Sequence, residues 1–411
     1  MFRILANIAP YYNESTMLKR TLYSTALLLA LLATGCGDAN QKPSALPQID
    51  MNAEYPEKEI CLQDVAEVSY IPLETTDESL FYGNIESVSE KGIFGVGDNK
   101  IYLFYPNGKV RHVIDRKGQG PGEYPYVHNA EVDWIREEVF VYHQPRKVMM
   151  VYSLDGSFKR EFPVDFTFLD HSVHNYDANR LIVYKPNPEG GEIQGDITPY
   201  CPYILMSKED GKVDSLSLVK DFHVSEMIKG VMLGNSALYL TASTMTRLGE
   251  DIYLNDVSLD TVYHTKENKL MPVMTRIPAV RSDESGKFFL QFMGVIPNHY
   301  YLRFQMKEMT LGDQVGAASF STKDEDSYNA LYDCRNGEIF RPIFKDNDYQ
   351  GAKDYSLSFN NGDKYTAYLK LEAFDLIEAL EAGELSGELK TIAEGLKEDD
   401  NPVLMVVKFK E

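Results

Sequence analysis

Hydrophobic and polar positions alternate in short runs along most of the chain, and turn residues close each run. In YLFYPNGKVRHVI (102–114), MVYSLDGSFKREF (150–162) and YILMSKEDGKVDSL (203–216) an aromatic-apolar strand meets a glycine turn and a second strand. A period of two turns one face of each strand inward, and Asn-Gly or Asp-Gly between such runs predicts a hairpin. The turn glycines Gly108, Gly156 and Gly211 lie 48 and 55 residues apart. Weaker copies follow at 262–274, turning at Asn268, and at 332–344, turning at Gly337. Each hairpin predicts the two outer strands of a repeating unit.

The earlier strands of the units recur too. GNIESVSEKGIFGVGDNKIYLFY (83–105) and HNAEVDWIREEVFVYHQPRKVMMVY (128–152) share one layout of strand, turn, strand, turn, strand. Four-stranded units repeated at about 50 residues predict a β-propeller, whose radial closure leaves few exposed sheet edges. With a helical insert of about 30 residues set aside, residues 65–411 divide into six units of about 53, and seven smaller units satisfy the same arithmetic. The insert is EAFDLIEALEAGELSGELKTIAEGL, with Phe374, Ile377, Leu380, Leu385, Leu389, Ile392 and Leu396 at helical spacing. Gly383 and Ser386-Gly387 divide it into two short helices. NPVLMVVKFK (401–410) then returns to strand, and pairing it with VAEVSYIPL (65–73) would fasten the ring.

The front of the chain has a different pattern. In MLKRTLYSTALLLALLATGC (17–36) Lys19 and Arg20 precede an apolar run over 22–32, and Ala33-Thr34-Gly35-Cys36 has the form of a bacterial lipobox. The run is too short for a comfortable membrane span, so it reads as an export signal ending in a lipid attachment site at Cys36. Residues 1–16 add nothing such a signal needs, and Met17 reads as the natural initiator, with 1–16 an upstream extension. Residues 37–60 carry Pro43, Pro47 and Pro56 and few apolar side chains, which predicts a flexible tether before a propeller over 61–411. Acylation at Cys36 would anchor the protein to a membrane of the cell envelope, the outer membrane, facing the periplasm or the exterior.

Composition narrows the function classes. Of 411 residues, 44% are hydrophobic, which supports a sizeable core, and 27 Tyr and 20 Phe against one Trp suit pleated surfaces. The net charge of −21 repels phosphate backbones and argues against a nucleic-acid partner. The four cysteines show no C-x-x-C spacing, so no zinc or redox motif is signalled. With Cys36 acylated, Cys61, Cys201 and Cys334 allow one disulfide plus a thiol, or three buried thiols.

Candidate chemistry is sparse. GQGPGEY (118–124) lacks the Lys-Ser/Thr of a phosphate loop and carries Glu123, so it reads as a crossover between units, with its glycines allowing positive φ. His171-x-x-His174 near Asp165, Asp170 and Asp177 has metal-ligand chemistry but reads more simply as polar surface. Asp346-Asn347-Asp348 lacks the later ligands of a calcium loop, and no G-x-S-x-G or H-E-x-x-H is present. No cofactor, metal site or catalytic set is expected.

The segment Gly120-Pro121-Gly122-Glu123-Tyr124-Pro125, with 127–133, 139–141, 148–151 and Asp155-Gly156, resembles the NHL-repeat pattern. YIPLETT (70–76), DRKGQGPGEY (115–124), LDTVYHTKENKL (259–270) and EDDNPVLMVVKFK (398–410) more closely resemble six-bladed β-propeller lipoproteins of Bacteroides-type bacteria, over residues 60–411. The resemblance implies an all-β fold, a six-bladed propeller of four-stranded antiparallel blades with a helical insert at 372–397, in the cell envelope. It transfers no catalytic residue. On the NHL-like alignment Arg116, Glu123, Tyr124 and His128 fall at a candidate ligand rim. The expected function is binding or scaffolding of a peptide, protein or glycan. The alternatives are a hydrolase or lyase whose channel site is assembled from several blades, and a structural partner in an envelope complex.

Overall fold

The computed structural model describes residues 46–127, 130–165, 173–184, 202–215, 228–233, 236–240, 244–257, 259–280, 282–307, 327–350, 355–359 and 361–411. They form a six-bladed β-propeller. Blade 1 is Gly83–Ser89, Gly92–Gly97, Lys100–Phe104 and Val110–Ile114, in that order from the inner strand outward. Blade 2 is Ala130–Asp133, Glu138–His143, Val148–Ser153 and Phe158–Pro163. Blade 3 is Val173–Asn175, Arg180–Tyr184, Tyr203–Ser207 and Val213–Ser215. A hairpin, Ile228–Leu233 with Ser236–Leu240, separates it from blade 4. Blade 4 is Met245–Leu248, Asp251–Leu254, Thr261–Lys266 and Lys269–Ile277, and blade 5 is Phe288–Ile296, His299–Met306, Ser327–Asp333 and Ile339–Lys345.

The predicted turns lie where the alternation placed them. Gly108, Gly156, Gly211, Asn268 and Gly337 all have positive φ, and each joins the third and fourth strands of its blade. At Gly108 this conformation is coupled to close packing, because a Cβ there would lie 2.2 Å from the carbonyl oxygen of Pro72. Each blade presents alternate side chains to its neighbour. Phe94, Ile101 and Leu103 of blade 1 pack on Val139, Val141 and Met150 of blade 2. Phe140 and Met149 of blade 2 meet Leu181 and Met206 of blade 3. Ile182 and Tyr184 meet Met245 and Ile252 of blade 4.

The ring closes through the N-terminal segment, which supplies three strands: β1 (Gln48–Asp50), β2 (Glu57–Cys61) and β3 (Ala66–Pro72). In blade 6, Ser358 bridges Tyr368 on strand Thr366–Leu371, which pairs with Val403–Phe409, which pairs antiparallel with β3. The register runs from Val403 opposite Pro72 to Phe409 opposite Ala66, the pairing of chain ends that the sequence suggests. β1 and β2 were expected to lie in a tether. Instead β1 adds a parallel fifth strand to the outer edge of blade 4, and β2 does the same to blade 5. The physical reason lies in a few apolar side chains: Ile49, Met51 and Leu62 are buried in the large core shared by blades 4, 5 and 6. The propeller therefore begins at Leu46 rather than residue 61.

The helical insert is two helices, Ala373–Glu381 and Gly387–Ala393, between the last two strands of the chain. Its buried face is Ala373, Leu376 and Ala379, then Leu385, Leu389 and Ala393. Phe374 is exposed. The first helix thus turns Ala373, Leu376 and Ala379 into the large core rather than the Phe374–Ile377–Leu380 stripe expected. Among the described residues no helix is long and apolar enough to cross a membrane.

Candidate functional site

In a ring of six blades, side chains from blades that are not neighbours can meet only near the axis. Arg247, on the inner strand of blade 4, makes two such contacts. Its Nη1 lies 3.6 Å from Glu131 Oε1 on the inner strand of blade 2, and it donates at 3.3 Å to the carbonyl of Asn361 in blade 6. Blade 3 separates blades 2 and 4, so this pair spans the front of blade 3. The inner strand of blade 3 contributes the rest: the Asn175 backbone N–H and Nδ2 donate to Glu131 Oε1 at 3.0 and 2.6 Å, and Nδ2 also donates to the Val132 carbonyl. His174 Nδ1 lies 3.7 Å from Glu131 Oε2. Glu131 and His174 are both buried.

Three polar atoms in this cluster are buried without a hydrogen-bond partner: both ring nitrogens of His174 and Oδ1 of Asn175. Buried polar atoms are nearly always paired, so such a concentration at the axis marks a place where a ligand or water completes the set. The inner strands offer Glu131 and Asn175 oxygens as acceptors, the Arg247 guanidinium as donor, and an imidazole able to do both.

One end of the axis is crossed by residues 361–364, which precede strand Thr366–Leu371 of blade 6. Gly249 of blade 4 donates its N–H to Gly362 O at 2.7 Å, and Lys364 pairs with Asp251 of blade 4 at 2.9 Å. From blade 1, on the opposite side of the ring, Glu90 N–H donates to Asp363 Oδ2 at 2.7 Å. Contacts to opposite blades make residues 361–364 a strap over the axis. Asp251 also accepts from His264, and its carboxyl stays below the ordinary range: burial works to raise it, and Lys364 and His264 outweigh that.

A second polar network joins blades 2 and 3 outside the axis. The Lys208 ammonium is buried and donates to Asp133 Oδ2 and to the Asp177 carbonyl, both at 2.7 Å. Glu138 receives Lys159, Arg160 and Arg136. Burial works to raise its carboxyl, but the three cations outweigh it and hold the group at about 2. This network ties neighbouring strands of blades 2 and 3.

Of the four residues of the expected ligand rim, Arg116, Glu123 and Tyr124 are described, and each is engaged within the crossover or by a neighbouring blade. The Arg116 guanidinium donates through Nε and Nη2 to the Gly156 carbonyl in the outer turn of blade 2. Glu123 Oε2 accepts from the Gly120 N–H within its own loop. The Tyr124 ring is fully buried against Tyr152, and its hydroxyl donates to the Ile114 carbonyl at 3.0 Å. His128 lies outside the described residues. The loop thus joins blades 1 and 2, with a Glu cap and a Tyr plug.

Of the His pair, His174 belongs to the axial cluster, whereas His171 and Asp170 lie outside the described residues. Among the described residues no three His, Cys, Asp or Glu side chains form a metal-binding group. Asp346 accepts from the Tyr70 hydroxyl at 2.7 Å and from Gln63, tying β3 to blade 5. Cys61 and Cys334 are unbridged, and burial pushes the Cys334 thiol up to about 11. Cys36 and Cys201 lie outside the described residues. Sequence reasoning missed Glu131, Asn175 and Arg247. For Glu131 and Arg247 the signal available was a charged residue in the middle of an innermost strand, found by counting back from the hairpin turns.

The comparisons with known proteins agree with the architecture. The family model of a domain of unknown function, DUF4934, matches residues 46–408. The chain belongs to this family. The match begins two residues before β1 and ends within the last strand, so it spans the propeller with its N-terminal strands. The sequence matches no curated protein. Among solved structures, a Bacteroides fragilis protein described as exported is similar over 89% of this chain and 100% of its own, with 15% identity and a TM-score of 0.59. A DUF4221-family member from Bacteroides vulgatus covers 84% of this chain and 98% of its own, with 9% identity and a TM-score of 0.47. At that identity the Bacteroides fragilis structure supports the propeller fold of this DUF4934 member alone.

Proposed function

We propose that this chain is a lipid-anchored binding or scaffolding module of the bacterial cell envelope, whose propeller holds a peptide, protein or glycan. The observation that carries the reading is the axial cluster of Glu131, His174, Asn175 and Arg247, in which polar side chains of blades 2, 3 and 4 converge and those of blade 3 keep three buried atoms without partners. Rigid inner strands position these groups, as a pre-organised binding site requires. The lipobox ending at Cys36 and the similarity to a Bacteroides fragilis protein described as exported support the envelope location.

Two experiments test the two halves. Metabolic acyl labelling should mark the wild-type protein and be lost in Cys36→Ser; undiminished label would sink the anchor. Peptide and glycan arrays probed with the full chain should give binding that weakens in Arg247→Ala. A hydrolase or lyase is the second reading. The 3.7 Å approach of His174 to Glu131 favours it, since an imidazole beside a carboxylate is a common acid–base pair. Turnover of a bound ligand that stops in His174→Ala would replace the first reading with this one.

A further inference from the structure

The axial cluster limits what it can hold by charge and by hydrogen-bond capacity. A cation would pair with Glu131 but would sit against Arg247, whose Nη1 is 3.6 Å from the same carboxylate. An anion would pair with Arg247 but would face Glu131, on a chain whose net charge is −21. Either ion meets a like charge within one contact distance in a buried setting, where screening is weak. A neutral partner avoids both penalties.

The unpartnered atoms define the partner's chemistry further. Asn175 directs its amide nitrogen to Glu131 and Val132, which leaves Oδ1 as an acceptor in need of a donor. The two nitrogens of His174 need one donor and one acceptor when the ring is neutral. Among the described residues Arg247 hydrogen-bonds the Asn361 carbonyl, and its other N–H groups can donate to a ligand. Groups that donate and accept at adjacent atoms satisfy such a mixture, and hydroxyls on neighbouring carbons are of that kind. The strap at 361–364 crosses the axis at the end of the inner strand that carries Arg247, joining Gly249 two residues further on. At that end the strap lies against Arg247 itself, through the Asn361 carbonyl.

We propose that the axial cluster of Glu131, His174, Asn175 and Arg247 binds an uncharged, hydroxyl-bearing ligand, a saccharide unit. This rests on the reading of the propeller as a binding module and names its ligand class. The test uses the full chain in a detergent without sugar and ligand-observed NMR. The probes are methyl glycosides of glucose, galactose and mannose, with glucuronate and glucosamine as size-matched anion and cation. At least one neutral glycoside should bind, and the charged sugars should bind about tenfold more weakly or worse. Glu131→Gln and Arg247→Lys should each weaken the neutral glycoside by about tenfold while circular dichroism stays unchanged. If Glu131→Gln does not fold, Arg247→Lys carries the test, because that side chain is part-exposed. Charged sugars binding as tightly as neutral ones, or neutral binding that neither substitution affects, would overturn the assignment. Peptides captured on an array with no saccharide bound would overturn it and leave the binding-module reading standing. Silence toward both would overturn both.

Discussion

Glu138 and Lys208 show two ways of accommodating a charge inside this propeller, and they predict different losses. Glu138 is shielded from water but meets three cations that are themselves part-exposed. Its folded carboxyl, held at about 2, lies below its unfolded value, so its contribution is present above the unfolded value and is lost as pH falls through the folded one. Stability should therefore decline between about pH 4.5 and pH 2, and Glu138→Gln should flatten that limb in denaturant titrations at several pH values. At neutral pH the same substitution should cost about 2 kcal/mol, less than a fully buried pair, because the cations regain water. Lys208 has no such recourse. It is buried, and Lys208→Met leaves Asp133 buried without its cation, which should cost about 3 kcal/mol or more in the denaturant midpoint. Neither residue was legible as a network in the sequence, since Asp133 and Lys208 meet only once blades 2 and 3 are packed. Tyr124 was legible as important and misleading as to why: its place in a glycine-rich loop suggested a rim, while its buried ring makes it a plug.

At the scale of elements, the hairpin turns were the most legible feature because turn chemistry is local. Gly108 needs positive φ whatever the rest of the chain does, and a neighbouring Asn and an alternating strand on either side announce it. What the sequence did not announce is that this turn also packs on the closing strand. The Glu74 N–H donates to the Gly108 carbonyl at 2.9 Å, and the Glu74 carboxylate accepts from the Val110 N–H. Gly108→Ala should therefore destabilise by about 2 kcal/mol, more than a turn glycine facing solvent, since the new methyl meets the Pro72 carbonyl as well as unfavourable φ. Gly383 serves as the control: it has positive φ with open space around its Cβ position, so Gly383→Ala should cost about 1 kcal/mol. Equal losses at the two sites, measured by thermal unfolding, would remove the packing part of the argument. The same locality explains the error at β1. QID and EKEIC have too few apolar residues to read as strands, and only the outer edges of blades 4 and 5 make them so.

For the whole molecule, the N-terminal segment decides whether the propeller is a ring or an open row of blades. β3 supplies the outer strand of blade 6, while β1 and β2 overlie blades 4 and 5 without being needed to complete them. Truncation should separate these roles. A chain beginning at Leu46 should unfold like the full protein. One beginning at Ala66 should fold with lower stability, because it loses Ile49, Met51 and Leu62 from the shared core while keeping the closed ring. One beginning at Leu73 leaves Val403–Phe409 as a bare edge beside the large core, and should lose the single cooperative transition and aggregate. A synthetic peptide of residues 46–72 added to that last chain should restore a cooperative transition, with a midpoint that rises with peptide concentration, as for any ligand bound only by the folded state. If the chain from Leu73 unfolds as cooperatively as the full protein without the peptide, closure by β3 is not what holds the ring. The axial site provides an independent readout of the same event. Arg247 reaches Glu131 across blade 3 and Asn361 from blade 6, so an open ring should lose saccharide binding, and the peptide should restore both properties together.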